Sequence, residues 1–290
     1  MKILFAGDEH AYTDYAMKET VKLASNTWAD ITLLGVYSAF LAKGVSSPDA
    51  LAVAQIFRAY RSRFLENWSA GESPYGFPGE DHGWKALKRG GWEIDDSLTG
   101  GTKGFKLRLR VGKPGSEILA EAAEDQSDLI VLGCTKGEHC DWVGAKPVPQ
   151  RIVNDAECSV LLVKQDQPVD KIRACFDQGY ISQESLEMVN QMVTIHSATL
   201  ELIGLGDNGS INVDAFSRLS QLAAYYNDRD IKVTTRLTDI SEFEGVIDGH
   251  MNEGLLAIWA GKRSLINRFF PKDWIGNFVS KCQTSVLVMR

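Results

Sequence analysis

The sequence is poor in the features that mark secreted, membrane-spanning and fibrous proteins. It has 5 cysteines and 8 prolines, and its 31 lysine and arginine residues are outnumbered by 38 aspartate and glutamate residues. No apolar run approaches the roughly 18 residues of a membrane span. The net charge of −7 provides no general attraction to nucleic acid or to anionic lipid. With 44% hydrophobic and 24% charged residues, the composition excludes a disordered or collagen-like chain. We therefore expect no nucleic-acid partner and no membrane span.

The cysteines are odd in number and scattered along the chain, at Cys134, Cys140, Cys158, Cys175 and Cys282. This pattern in a long chain predicts reduced thiols and no disulfide framework, and with them a cytoplasmic location. The short apolar run after Lys2 ends at Asp8 and Glu9, without the longer apolar region and small-residue cleavage site of a signal peptide. We interpret it as the first β-strand.

The most informative feature is an internal repeat, which predicts a duplicated architecture. Three segments of the first half recur in the same order in the second half: Ile3–Asp8 as Ile172–Asp177, Ile31–Gly35 as Leu200–Gly204, and Ser159–Val163 as Ser285–Val288. The spacing of these segments gives the first copy about 43 extra residues. A chain of 290 residues also suits about two domains. We predict domains at 1–165 and 169–290, joined by a linker at 165–168.

Each copy alternates short β-branched runs with helical patterns, which predicts an α/β fold. Near-continuous apolar runs such as Asp128–Gly133 are typical of a parallel sheet covered on both faces. The fold class is therefore α/β, with two tandem, open, five-stranded parallel sheets. The predicted strands are 2–7, 31–37, 106–111, 128–133 and 159–164, then 171–176, 199–205, 230–237, 255–260 and 285–289. The predicted helices of the second copy are 183–194, 212–227, 241–253 and 274–282.

The surplus of the first copy is an insertion at about 39–104. Residues 46–68 carry a broad apolar stripe that predicts a helix. Residues 69–104 are rich in glycine, proline and tryptophan, and a structureless loop of that length is uncommon in a compact domain. A lid, a docking arm anchored by Trp68, Trp84 and Trp92, and a cap over the protein's own core are the alternatives.

Two features place polar or glycine-rich chemistry at strand ends. Asp8 and Asp177 end the first strand of each copy, where parallel strands face a ligand crevice. Either carboxylate could accept hydrogen bonds from a nucleotide or cap a helix. Gly133–Gly137 follows the fourth strand, and Pro147-Val148 opens a helix. Glycines and a helix start can hold phosphate, although an ordinary glycine turn has the same appearance.

Other site motifs are weak or missing. Cys134, His139 and Cys140 offer three potential zinc ligands at a spacing that structural zinc sites do not use. The Gly133–Gly137 segment is neither the GxGxxG of dinucleotide sites nor the GxxxxGK[ST] of a P-loop, and the chain has no GxSxG of hydrolases and no HExxH of zinc proteases. We therefore predict no catalytic residues and no metal site.

Taken together, these patterns resemble the universal stress protein family. The resemblance lies in the stretches Ile3–Asp8, Val111–Pro114, Glu117–Leu119 with Ala122, Asp128–Gly133, Ile152–Val153 and Ala156–Val163. It covers the first copy outside residues 39–104 and extends more faintly to the second. The resemblance implies a Rossmann-like fold of the adenine nucleotide alpha hydrolase type in a tandem UspA-like chain. It also implies that residues 159–164 and 285–289 join the domains as an intrachain pseudo-dimer.

The family divides into members that bind ATP and members that do not. Binders carry two glycines separated by two residues, a Gly-Ser or Gly-Thr nine residues later, and the first-strand aspartate. Here three residues separate Gly133 from Gly137, Lys146-Pro147 stands where the last pair falls, and the second copy has Ser264 in place of its second glycine. The resemblance implies ATP, accompanied by Mg²⁺, at Asp8, Gly133, Thr135, Lys136, Gly137, Lys146, Pro147 and Val148.

Three functions follow from these observations. The first is a cytoplasmic stress-response protein that associates with other proteins, constitutively or under control of a ligand, without a catalytic cycle. The second is an enzyme that hydrolyses nucleotides or handles adenylyl groups through Asp8 and the 133–148 loop. The third is a scaffold that acts through the 39–104 insertion. Pairing of two chains into a homodimer is open, as is the identity of any protein partner.

Overall fold

The computed structural model describes residues 1–37, 48, 51–69, 72–75, 83–88, 90–95, 101–135, 140–142, 147–164, 168–177, 181–206, 213–248, 254–262, 264–271 and 273–290. Its helices are α1 (Ala11–Thr27), α2 (Ala52–Leu65), α3 (Pro114–Asp125), α4 (Val148–Asp155), α5 (Gln183–His196), α6 (Val213–Asn227), α7 (Phe243–Asp248), α8 (Leu265–Phe269) and α9 (Trp274–Lys281). A 3₁₀ turn, Ile240–Glu242, precedes α7.

The described strands form a single 12-stranded sheet. They are β1 (Lys2–Gly7), β2 (Asp30–Tyr37), β3 (Lys85–Ala86), β4 (Trp92–Asp95), β5 (Phe105–Val111), β6 (Leu129–Gly133), β7 (Ser159–Val163), β8 (Lys171–Asp177), β9 (Thr199–Gly206), β10 (Val233–Asp239), β11 (Leu255–Trp259) and β12 (Ser285–Met289). Their order is β10-β9-β8-β11-β12-β7-β6-β1-β2-β5-β4-β3.

The sheet repeats one arrangement on either side of its centre. Reading outward from the centre, the first half has β7-β6-β1-β2-β5 and the second has β12-β11-β8-β9-β10. Every neighbouring pair within these two sets is parallel. The predicted fold class is therefore confirmed. The domain boundaries 1–165 and 169–290 stay a prediction, and residues 165–167 of the predicted linker lie outside the described residues.

Each face of the sheet carries its own core because successive side chains of a strand point to opposite faces. In β1, Ile3 and Phe5 belong to one buried cluster, whereas Leu4 and Ala6 belong to the other. Helices α1, α2, α5 and α6 cover the first face, and α3, α4, α7, α8 and α9 cover the second. Helical cover on both faces explains why β6 and β7 are buried at every residue.

The insertion adds a helix and two strands to the first half. Helix α2 is shorter than the predicted 46–68, and the stretch expected to lack structure contributes β3 and β4, with β4 antiparallel to β5. The tryptophans considered as docking anchors contact their own chain: Trp68 lies against Phe64 and Tyr75, Trp92 stacks on Tyr37, and Trp84 lies under Arg58. The described part of the insertion therefore caps the core.

The two halves meet through their last strands, as the resemblance implied. β12 runs antiparallel to β7, with Leu287 opposite Leu161. Two serines at equivalent positions each accept a hydrogen bond from a backbone N–H of the other half across this contact. Lys164 N donates to Ser285 Oγ at 3.1 Å, and Arg290 N donates to Ser159 Oγ at 3.3 Å. The same contact is thus made twice, once in each direction.

A cation at the end of each last strand reaches the helix end of the other half. Lys164, which is 2% exposed, donates from Nζ to the carbonyl oxygens of Val279 and Cys282 at 2.5 Å and to that of Ser280 at 3.4 Å, at the end of α9. Arg290 donates to the carbonyl oxygen of Val153 in α4. Cations at helix carboxyl ends are favourable because carbonyl groups there lack helical partners. Burial lowers the pKa of Lys164 to about 8.

Helices α1 and α5 form a second contact between the halves. Glu19 Oε2 lies 3.0 Å from His196 Nε2, and Asn26 Nδ2 donates to Gln191 Oε1 at 2.5 Å. Burial by itself would raise the pKa of Glu19, but the hydrogen bonds and charges of His196 and Lys22 outweigh burial and lower it. His196, to which the sequence assigned no special role, therefore contacts Glu19 and helps to join the halves.

Several element boundaries differ from those predicted. β10 begins three residues after the predicted start, at Val233. Of the predicted helix 241–253, residues 241–248 form the end of a 3₁₀ turn and the short α7, and residues 249–253 lie outside the described residues. Helices α1 and α5 end in the same way, with Trp28 and Ser197 in the left-handed conformation at φ 50°. Glycine is the usual residue at such a helix end, and neither copy has one there.

Candidate functional site

The candidate site is the crevice at the carboxyl ends of β1 and β6. These neighbouring strands mark the point where the strand order reverses, since β2 lies beyond β1 and β7 beyond β6. Ligands of open α/β sheets bind at such a point. β1 ends directly before Asp8, and β6 ends at Gly133. The structure therefore brings these two sequence-predicted residues to the same edge of the sheet.

The Asp8 carboxylate already holds several local donors. Its Oδ1 accepts from His10 N at 3.0 Å and from Thr13 Oγ1 at 2.9 Å, and its Oδ2 accepts from the Tyr12 hydroxyl. The His10 ring lies 3.2 Å from Oδ2 through Nδ1. A carboxylate can accept about four hydrogen bonds, so Asp8 fastens the start of α1 and keeps limited capacity for a ligand.

Aromatic side chains line the crevice beside Asp8. The rings of His10 and Tyr12 stack at 5.5 Å, and Tyr60 of α2 donates its hydroxyl to the Asp8 carbonyl oxygen at 3.4 Å. Burial, helped by the charge of Asp14, raises the pKa of Tyr60 to about 12, so its hydroxyl stays protonated at neutral pH. The edge of the crevice therefore has a partly exposed imidazole and three hydroxyls that already donate hydrogen bonds to Asp8.

The loop after β6 is closed by a disulfide between Cys134 and Cys140. The prediction of reduced, unpaired cysteines was wrong for this pair. Thr135 and Asp141 hold the two ends of the loop together. Thr135 N donates to the Asp141 carbonyl oxygen at 3.2 Å, and Asp141 N donates to Thr135 Oγ1 at 3.0 Å. The resulting turn brings the cysteine Cα atoms to 5.2 Å, within the range that a disulfide bridges.

Gly133 is required by packing at this position. A Cβ atom there would lie 2.1 Å from the carbonyl oxygen of Tyr12, so no larger residue fits between β6 and the start of α1. The carbonyl oxygen of Gly133 accepts from Trp142 Nε1 at 2.8 Å, and Trp142 is buried in the core. Close approach of the chain to itself therefore accounts for this glycine without a phosphate.

Some of the remaining predicted residues lie at the start of α4, and the others lie outside the described residues. Lys136, Gly137, Lys146 and the zinc candidate His139 lie outside the described residues. Val148 buries its side chain in the core, while Pro147 is exposed. Among the described residues, no side chain caps the start of α4. Its backbone N–H groups are therefore the part of this helix that could meet an anion.

The corresponding crevice of the second half is filled. Asp177 is 7% exposed, and its Oδ2 accepts from Leu265 N at 2.5 Å, at the start of α8. Trp259, which takes the place of Gly133, packs against Gly261, where an added Cβ would lie 2.4 Å from the indole. The two aspartates match in sequence, yet Asp8 bonds to the start of its own following helix and is 14% exposed, whereas Asp177 is used inside the core.

The sequence model of the universal stress protein family matches residues 1–164, which include both strands of the crevice. The chain belongs to the universal stress protein family. No protein with a curated description matches the chain. As a family member, it is related to proteins of the stress response that generally are not enzymes.

Solved structures share the fold of this universal stress protein over its full length. A universal stress protein from Archaeoglobus fulgidus DSM 4304 is 12% identical, with a TM-score of 0.59 over 100% of this chain and 96% of its own. A Pseudomonas aeruginosa UCBPP-PA14 protein described as a universal stress protein is 14% identical, with a TM-score of 0.60 over 99% and 92%.

The same fold occurs in a solved structure with a different description. The cytoplasmic domain of a prokaryotic cation chloride cotransporter is 10% identical, with a TM-score of 0.54 over 99% of this chain and 94% of its own. At these identities the likeness concerns the fold alone. Of the helices described here, none has the length and apolarity needed to cross a membrane.

Sequence reasoning missed the residues that surround Asp8. His10, Tyr12 and Thr13 all lie within five positions of it, so their side chains return to the strand end as α1 begins. A polar residue at each of these positions was the available signal. No comparable signal distinguished Asp177, because its partner, Leu265 N, belongs to a helix 88 residues away.

Proposed function

We propose that this universal stress protein acts in the stress response by associating with other proteins, and that an adenine nucleotide bound in the first half alone modulates the association. The observation that carries the proposal is the contrast between the two aspartates. The side chain of Asp8 is 14% exposed and its partners lie within five residues of it, whereas Asp177 is 7% exposed and its carboxylate accepts from Leu265 N at the start of α8. Among the described residues, Asp8 is therefore the strand-end carboxylate that we propose as the ligand acceptor.

The residues of the first crevice fit a nucleotide by their donor and acceptor types. Asp8 would accept a hydroxyl or amino hydrogen from the ribose or base, while the exposed edge of His10 would contact the base. Because Pro147 and Pro149 have no N–H, the backbone N–H groups of Val148 and Gln150 would face phosphate oxygens, with Thr135 and Gly133 lining the path between. Lys136, Gly137 and Lys146 complete the proposed set, and Mg²⁺ would accompany the phosphates. ATP is the nucleotide we propose.

Binding without turnover is part of the proposal. The hydroxyls of Tyr12 and Thr13 and the backbone N of His10 all donate to the Asp8 carboxylate, and the described crevice has no nucleophile paired with a base. A cytoplasmic location is also proposed, although the Cys134–Cys140 disulfide removes the argument that reduced thiols supplied for it. The three remaining cysteines are free thiols.

The test compares two matched variants, Asp8→Asn and Asp177→Asn. Freshly purified protein is denatured, and the released small molecules are identified by mass spectrometry. The melting temperature is then measured with and without millimolar Mg-ATP. We expect the parent protein to release adenine nucleotide and to show a higher melting temperature with Mg-ATP. Asp177→Asn should behave in the same way if that variant folds, and Asp8→Asn should lose both effects.

Three results would contradict the proposal. The first is an empty parent protein with no thermal shift. The second is equal binding by the parent protein and Asp8→Asn. The third is product that accumulates beyond one turnover, which would favour the nucleotide-hydrolase alternative. Circular dichroism of each variant separates loss of the fold from loss of the ligand.

A further inference from the structure

A cavity of about 790 Å³ lies between the two halves, away from the Asp8 crevice. Its wall in the first half comes from the amino ends of the strands, including Ser127, Asp128 and Cys158. Its wall in the second half comes from the start of α5, including Glu187 and Met188. The volume is within the 300–1,000 Å³ that is usual for small-molecule sites. The cavity is therefore large enough for an organic ligand that touches both halves.

The antiparallel pairing of β7 with β12 creates this cavity. Because the strands of the two halves run in opposite directions, the amino ends of the first half's strands lie next to the carboxyl ends of the second half's strands. Helix α5 begins at that carboxyl edge and passes next to the end of α1, where Asn26 and Gln191 are hydrogen-bonded. A space remains between the helix start and the strand ends, and neither half encloses it alone.

Negative charge is in excess around the cavity. Four lining residues are carboxylates: Asp128, Glu157, Glu184 and Glu187. Two lining groups are cationic, the Met1 amine and the Arg290 guanidinium. The guanidinium is directed elsewhere, since it donates to the carbonyl oxygens of Ala260 and Val153. A ligand that enters would meet an excess of hydrogen-bond acceptors with negative charge.

Apolar side chains form part of the cavity wall next to Ser127, which is 7% exposed. Met188 and Cys158 add an apolar surface beside it. The lining thus combines acceptors with a surface for methylene groups.

The spread of the carboxylates decides between a metal ion and an organic cation. Among the residues described, no three His, Cys, Asp or Glu side chains come close enough together to hold a metal ion. Asp128 and Glu157 are on the first half, and Glu184 and Glu187 are on α5. Charges on opposite walls suit an elongated molecule with several cationic groups. We propose that the cavity binds an aliphatic polyamine, whose ammonium groups reach both walls and whose methylene chain lies against Met188.

The test uses spermidine as the probe in isothermal titration calorimetry at 150 mM salt. The cavity variant is Asp128→Asn with Glu157→Gln. The control variant, Glu66→Gln with Glu72→Gln, removes the same charge from exposed residues elsewhere. We expect saturable one-to-one binding that weakens about three- to tenfold in the cavity variant, as two exposed ion pairs would give, and that is unchanged in the control.

A second readout reports on the cavity itself. Cys158 lines it, whereas the other free thiols, Cys175 and Cys282, are fully buried. Bound spermidine should slow alkylation of Cys158 in the parent protein at saturating concentration. The Asp8→Asn variant should bind spermidine as the parent does, because its site is separate. Absence of saturable binding, equal affinity in the cavity and control variants, or undiminished alkylation of Cys158 at saturation would each overturn the proposal.

Discussion

Replacing Lys164 by methionine tests the contact through which the first half holds the end of α9. The ammonium donates two hydrogen bonds of 2.5 Å and one of 3.4 Å to carbonyl oxygens. Hydrogen bonds of charged groups contribute about 1.5–3 kcal/mol each, and methionine forms none. Burial of the charge opposes this contribution, since the pKa falls from 10.5 to about 8, which corresponds to about 3 kcal/mol. We expect a net loss of about 1–2 kcal/mol at pH 7.

The pH dependence identifies the lysine as the cause. Because the pKa is lower in the folded protein than in the unfolded chain, the unfolded chain binds more protons between pH 8 and pH 10.5. The stability that Lys164 contributes therefore rises with pH across this window by about 3 kcal/mol and is constant below it. The difference in unfolding free energy between the parent protein and Lys164→Met should widen accordingly.

Urea unfolding followed by tryptophan fluorescence at several pH values measures this difference. Tyr226 and Cys175, whose pKa values burial raises, are present in every variant, so their effect cancels. Arg290→Met is the matched comparison, because it removes the equivalent cation of the second half, whose ordinary pKa of 12.5 lies above the window although burial lowers it. If the difference in unfolding free energy between the parent protein and Lys164→Met stays constant or narrows from pH 8 to pH 10.5, the reasoning is refuted.

Three further predictions concern the helix end, the second contact and the loop. Ser197→Gly should stabilise the protein by about 0.5–1 kcal/mol, because φ is 50° there and glycine adopts it without a steric penalty; Ser197→Ala, measured in the same unfolding assay, should not. Glu19→Gln should cost about 1 kcal/mol at pH 7. Since the pKa of Glu19 is lowered in the folded state, that loss should shrink as pH falls below about 4.5, and a loss independent of pH would argue against the contact with His196. Alkylation of the denatured, unreduced protein should label 3 thiols and all 5 after reduction, with a linked Cys134–Cys140 peptide in the mass spectrum; five labels without reduction would exclude the disulfide.

The reciprocal contacts between the halves bear on how the chain works. A single sheet crosses the junction, and Lys164 and Arg290 each bond to a helix of the opposite half. Separating the halves would expose β7 and β12, both buried at every residue. We therefore expect the halves to unfold together, and a ligand in the cavity between them to stabilise both.

Much of the fold could be predicted from local pattern. The apolar runs of β1, β6 and β12 and the repeat that relates the two halves predicted the sheet and its duplication, because a strand covered on both faces needs apolar residues at nearly every position. The short strands of the insertion were missed. Two residues at Lys85–Ala86 and four at Trp92–Asp95 are too few to show a period, and their strand conformation depends on pairing with β5.

The sequence alone determined the family, the α/β class and the placement of an aspartate at the end of the first strand in each half, since these depend on residues close together in the chain. Tertiary structure decided which partners each aspartate has. Asp177 meets the start of α8, and Cys134 meets Cys140, only after the chain has folded back. Such contacts join residues that are far apart or that face each other across a tight loop. They depend on packing that no local pattern encodes, and they distinguish the crevice at Asp8 from the crevice at Asp177.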